Sequence, residues 1–157
     1  MRKIKKLVAT LLAATMVMAM GVTAFAADSL ADGKYTAKQN LYKNSACTTT
    51  SMGDAALNDM RAEITIADDE ATLVVHTHEI TYLGLTGHLG QMVVNGKTVT
   101  PKQTTTNGVT DYYFTFTGLD ASTIYEGCVI TGKFTTYVGS MPMNATGYLK
   151  LTDITAK

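Results

Sequence analysis

The chain contains no tryptophan, two prolines and two cysteines in 157 residues, and each shortage excludes something. Two cysteines allow one disulfide at most, which rules out a small scaffold stapled by several bridges. Beyond the first few residues no cluster of Lys and Arg occurs, which argues against a nucleic-acid partner. No apolar run after the leader has the period and length of a sheet-covering helix, so no glycine-rich phosphate loop precedes one. No serine sits at a nucleophile elbow, and neither cysteine has a catalytic sequence context, so the chain does not read as an enzyme. The carboxylates Asp28, Asp32, Asp54, Asp59, Asp68, Asp69 and Glu70 fall in predicted loops and turns, where solvation accounts for them.

The chain opens with an export signal. Arg2, Lys3, Lys5 and Lys6 precede an apolar run from Leu7 to Val22, and Ala24-Phe25-Ala26 is a small-x-small cleavage site. Cleavage after Ala26 leaves residues 27–157 as the mature domain. No cysteine follows that site and no apolar tail or sorting signal closes the chain, so the mature protein is expected to be released, or held at the cell surface by a partner. Of the 13 basic residues four lie in the leader, and all 13 acidic residues lie after it, which makes the mature chain weakly acidic at −4.

Thr, Val, Ile, Tyr and Phe dominate the mature chain, and glycine recurs at the breaks between runs, the composition of an all-β domain. Tyr35 to Tyr42 alternates as a first strand. Ser51 to Leu57 reads as one short helical turn capped by the Ser51 side chain. Arg61 to Ala67 is a strand with Ala62, Ile64 and Ile66 inward, turned by Asp68-Asp69 into Ala71 to Tyr82, where slipped alternation predicts a bend or bulge between His76 and Glu79. Asn95-Gly96 is a hairpin signal after the Gly84 to Val94 strand region. Gln103 to Gly108 reads as a polar loop, and Tyr112 to Thr117 as a strand with Tyr112, Phe114 and Phe116 on one face. The expected architecture is an immunoglobulin-like antiparallel β-sandwich of seven or eight strands with one short helical turn.

The last strong feature is a hairpin, FTTYVGSMPMNATGYLKL, from Phe134 to Leu151. Phe134, Thr136 and Val138 share one face with Ala145, Gly147, Leu149 and Leu151. The expected loop is Gly139 to Asn144, holding Met141 and Met143 around Pro142. If Val138 pairs with Ala145, Tyr137 and Tyr148 are diagonal neighbours on the outer face.

Four stretches together resemble the NEAT (near-iron-transporter) domain, a module of Gram-positive surface and secreted proteins. They are LADGKYTA (Leu30 to Ala37), SMGDAAL (Ser51 to Leu57), the paired strands joined by a carboxylate turn, and TGHLGQ (Thr86 to Gln91). The resemblance implies a β-sandwich that binds haem for iron acquisition, or in some members a host protein, with the iron-porphyrin between the short helical turn and the final hairpin. Members that bind haem carry Tyr-x-x-x-Tyr on the last strand, whereas here Tyr148 has Asn144 four residues before it and Thr152 four after it. No phenolate ligand is therefore carried over.

The residues offer a substitute. Thioether sulfur is a soft donor suited to haem iron, so Met52 on the turn and Met141 and Met143 on the hairpin are the candidate iron ligands. Ser51, Tyr137 and Tyr148 complete the candidate haem-binding set. The competing reading makes the three methionines ordinary packing and loop residues. A second reading of function is a module without haem that recognises a surface protein or a glycan through Tyr137 and Tyr148.

His76 and His78 share one side of a strand with Glu79 pointing away, and with His88 they are too few for a firm metal site. Cys47 and Cys128 form a disulfide worth about 4 to 5 kcal/mol by loop entropy, or stand as two independent small apolar residues.

Overall fold

The computed structural model describes residues 29–157; the leader and its cleavage site lie outside the described residues. The domain is all-β. Its ten strands are β1 (Gly33–Tyr42), β2 (Arg61–Ala67), β3 (Glu70–His78), β4 (Ile80–Tyr82), β5 (Leu85–Val94), β6 (Lys97–Val99), β7 (Lys102–Thr106), β8 (Val109–Asp120), β9 (Val129–Val138) and β10 (Met141–Ala156). A 3-10 turn, Met52–Ala56, follows β1, and a second, Ala121–Thr123, follows β8. No described helix is long and apolar enough to cross a membrane.

Every pairing is antiparallel, in the order β4-β5-β9-β10-β1-β2-β3-β8-β7, with β6 paired to β5. The sheet folds over so that β5 and β6 return against β3 and β8, and the enclosed faces form one sandwich core. β10 is the hinge of this arrangement. Its first part pairs β9 and its last part pairs β1, with Tyr148 opposite both Thr131 and Tyr42.

Side-chain alternation sets which face goes inward. Ala62, Ile64 and Ile66 of β2, Leu73 and Val75 of β3, and Phe114 and Phe116 of β8 are buried, as period-2 patterning requires. Leu41, Leu89, Met92, Phe134, Leu149 and Leu151 close the core from the other half. The tight turns are made by residues that tolerate a left-handed backbone. Asp68 and Asp69 (φ 50° and 67°), Asn95 and Gly96 (51° and 73°) and Asn107 and Gly108 (52° and 78°) supply the paired positive φ of a type I′ hairpin.

The bend predicted between His76 and Glu79 is present, since β3 ends at His78 and β4 begins at Ile80. Two other expectations are corrected. The polar loop Gln103 to Gly108 is a strand and a tight turn, with Thr106 opposite Val109. All of β7 is exposed, so it has no buried face to print an alternating pattern on the sequence. The two extra hairpins, at β4 and β7, bring the strand count to ten.

Cys47 and Cys128 are free thiols. Cys128 is buried, its carbonyl accepting from Leu151 N at 3.0 Å, while the Cys47 thiol turns back to Ser45 O at 3.7 Å. The bridge expected as one of two alternatives is not formed, and Cys128 serves as a small core residue.

Candidate functional site

The hairpin register differs from the expected one. Val138 pairs with Met141, leaving Gly139-Ser140 as a two-residue turn, and Ala145 lies opposite Phe134 rather than Val138. Gly139, with φ 58°, lets the chain reverse this sharply. The stretch 141–144 is therefore strand, not loop.

This register moves the candidate residues. Tyr137 lies opposite Pro142, and Tyr148 lies opposite Thr131, six positions further along β9. At about 3.4 Å per residue that is roughly 20 Å, so Tyr137 and Tyr148 are not neighbours and form no shared aromatic face. Tyr137 belongs instead to a column of rings. His88 stacks on it at 5.1 Å between centroids and on Tyr112 of β8 at 4.8 Å. The Tyr112 hydroxyl donates to Glu79 Oε1 at 3.1 Å. Burial raises the Tyr112 phenol above its ordinary value, and the Glu79 carboxylate beside it adds to the rise.

The methionines gain from the same correction. Residues directly opposite in an antiparallel pair project to one side, so Met141 shares a side with Val138, and Met143 with Thr136. β5 extends these rows, with Gly87 opposite Val138 and Leu89 opposite Thr136. This is the inward side of the sandwich, yet Met141 is 65% and Met143 45% exposed. β1 ends at Tyr42, opposite Tyr148, so the hairpin runs on past it without a strand along that edge.

The 3-10 turn sits where β1 stops. The Ser51 hydroxyl accepts from Gly53 N at 3.3 Å, capping the turn as predicted. A Cβ at Gly53 would stand 3.2 Å from Leu89 Cδ2, 3.3 Å from Leu41 Cδ2 and 3.4 Å from Thr136 Oγ1. The turn is thus seated on the floor of the hairpin, beside the Thr136/Met143 row, with Met52 next to the contact and 44% exposed. Asp54 holds it there. Its Oδ1 accepts from Leu41 N at 2.6 Å and the residue is buried, so it is a structural clamp rather than the solvated loop carboxylate expected.

Ser51 and Met52 thus lie on the turn that rests against Leu89 and Thr136, Met143 is in the Thr136 row and Met141 in the Val138 row, and Tyr137 and Tyr148 project from the opposite side of the hairpin. The sequence reading missed Leu85. It is 52% exposed, on the side of β5 shared by Gly87 and Leu89, with its Cδ2 4.0 Å from where a Gly139 Cβ would be. Tyr82, opposite Leu85, and Leu83 at the adjoining turn extend the apolar rim. The signal available was an apolar triplet, Tyr82-Leu83 and Leu85, around a glycine turn.

Phe134, in the same inward row as Thr136 and Val138, is buried in the core. Its ring lies over two glycines, since a Cβ at Gly147 would meet Phe134 Cδ2 at 2.6 Å and one at Gly132 would meet Cε2 at 3.3 Å.

His76 and His78 do share a side of β3, opposite Tyr113 and Asp111 respectively. Among the described residues no group of three or more His, Cys, Asp or Glu side chains is placed to hold a metal ion. A cavity of about 360 Å³ between β1 and the connection into β2, lined by Lys38, Gln39, Asn58, Asp59, Met60 and Arg61 among others, shares no residue with the hairpin.

No protein-family model matches the chain, and no curated protein matches it. Among solved structures, the chain is similar to the NEAT5 domain of IsdX2, a B. anthracis hemophore in complex with heme, at 13% identity and a TM-score of 0.49, over 77% of this chain and 96% of that one.

Proposed function

We propose that this chain is an exported binding module, not an enzyme, that captures haem or a related tetrapyrrole for iron acquisition, acting outside the cell or at its surface. The observation that carries this reading is the exposure of Met52 on the turn and of Met141 and Met143 on the inward side of the hairpin against which that turn rests. Exposed thioethers on an uncovered inward face are poor solvent contacts and good partners for a flat, polarisable apolar molecule. Met52 on the turn and Met141 or Met143 on the hairpin would hold the iron, which supplies a soft-ligand coordination site when bound. Ser51 keeps the turn capped, and Leu85, Val138 and Thr136 provide the apolar wall.

The alternative, recognition of a surface protein or glycan through Tyr137 and Tyr148, asks for a surface on which the two rings lie together, and the register separates them. The test is a haem titration of the purified mature domain followed in the Soret region. Binding should produce a shifted band that Met52→Ala, or Met141→Ala with Met143→Ala, abolishes. No shift in either oxidation state rejects the reading.

A further inference from the structure

The segments that would bound a haem between turn and hairpin carry almost no formal charge. Residues 80–94 of β4 and β5, 134–149 of the hairpin and 44–53 leading into the turn contain no Asp, Glu, Lys or Arg. The first charge met along the turn is Asp54, buried and committed to Leu41 N. Donor chemistry is equally narrow. His88 is closed between Tyr112 and Tyr137, Met92 is fully buried, and Tyr148 lies at the hairpin base opposite Tyr42. Tyr82 is exposed, but β5 and β9 separate its strand from β10, which places it roughly 14 Å from the methionine row at the usual strand spacing. Cys47, the other soft donor in these stretches, turns its thiol to Ser45 O within its own loop at 3.7 Å, which leaves the neutral thioethers.

Both observations act on the oxidation state of bound iron. A ferric porphyrin centre carries one net positive charge that a ferrous centre lacks, and placing a charge against apolar walls is costly unless an opposite charge compensates it. A phenolate or carboxylate ligand would compensate it; a thioether does not, and methionine ligation raises haem potentials. Resting on the haem-capture reading above, we propose that this site is selective for haem in its reduced form, whose iron-porphyrin centre is uncharged, with the thioethers of Met52, Met141 and Met143 and the absence of any anionic side chain as the selecting features.

The experiment is an anaerobic titration of the mature domain with haem, once reduced by dithionite and once oxidised, together with spectroelectrochemistry of the bound haem. Reduced haem should bind at least tenfold more tightly, equivalent to a midpoint raised by about 59 mV for a one-electron couple. Equal affinities, tighter ferric binding or an unchanged midpoint overturn the proposal while leaving haem capture standing. Binding of neither form removes haem capture and the selectivity with it. Met141→Leu with Met143→Leu keeps an apolar wall without sulfur and should bring the two affinities together, with circular dichroism showing that the fold is kept. Tyr148→Phe, on the opposite side of the hairpin, should leave the selectivity unchanged; a change would assign a phenolate ligand and overturn the thioether assignment.

Discussion

The ring of Tyr137 lies directly over Gly90, where a Cβ would stand 2.1 Å from Tyr137 Cε2 and 2.4 Å from Cδ2. Gly90 is also the residue skipped in the β5–β9 register, between Leu89 and Gln91. A glycine at a bulge is here the seat of an aromatic ring that in turn stacks on His88. Gly90→Ala should lower stability by about 1–3 kcal/mol through overpacking. In a Tyr137→Ala background the same change should cost far less, and urea unfolding of the four proteins reads the coupling directly. Additive costs would mean that the ring does not rest on this glycine.

Asp54 ties the methionine-bearing turn to β1 through Leu41 N. Asp54→Ala leaves a buried amide without its partner and should lower stability by about 1–3 kcal/mol. The same variant should bind haem more weakly than its loss of stability explains, because the wall carrying Met52 is no longer held. Titration well below the unfolding temperature separates the two effects.

The thiols should differ in reactivity. Cys47 lies in a loop and Cys128 in the core, where burial pushes its thiol up from its ordinary 9.0. A thiol reagent should label one cysteine in the native protein and two after unfolding, with no reductant needed in either case. Because the Cys128 pKa is raised on folding, its contribution is complete below the unfolded value and is lost as pH rises through the folded one. Stability should therefore fall at alkaline pH, and Cys128→Ala should flatten that limb of the pH profile.

Asp153 accepts from Arg61 Nη1 at 3.1 Å and lies 3.6 Å from Lys38 Nζ. The Arg61 hydrogen bond first, and then the charge of Lys38, hold its carboxyl below the ordinary 3.8. A depressed carboxyl contributes stability above its unfolded pKa and loses it as pH falls through the folded one. The difference in urea midpoint between the wild type and Asp153→Asn should be present at pH 6 and shrink as pH falls below the ordinary 3.8. A difference constant across that range would show that Asp153 acts without its charge.

Where alternation was strict, sequence and fold agree residue by residue. Ala62, Ile64 and Ile66 on β2 and Phe114 and Phe116 on β8 are inward as their spacing demands, and Ser51 caps its turn. β7 was illegible because a strand exposed on both faces leaves no periodic trace. The hairpin register is hidden for a related reason. Met141, Pro142 and Met143 resemble a loop by composition, and only Gly139 with its positive φ reveals how short the true turn is. Asp54 reads as solvated because nothing local separates a carboxylate that meets water from one that meets Leu41 N, thirteen residues earlier.

β1 stops at Tyr42, and the segment of β10 from Met141 to Gly147 has no partner on that side. The cleft wall is consequently a cantilever, anchored at Phe134 over Gly147 and growing outward from the core. Inserting or removing one residue on each side of Gly139-Ser140 would leave every remaining strand residue on its own side and turn only the loop over, whereas two on each side would lengthen or shorten the wall in phase. The reach of the cleft is thus adjustable in steps of one pleat, with the sandwich beneath it untouched.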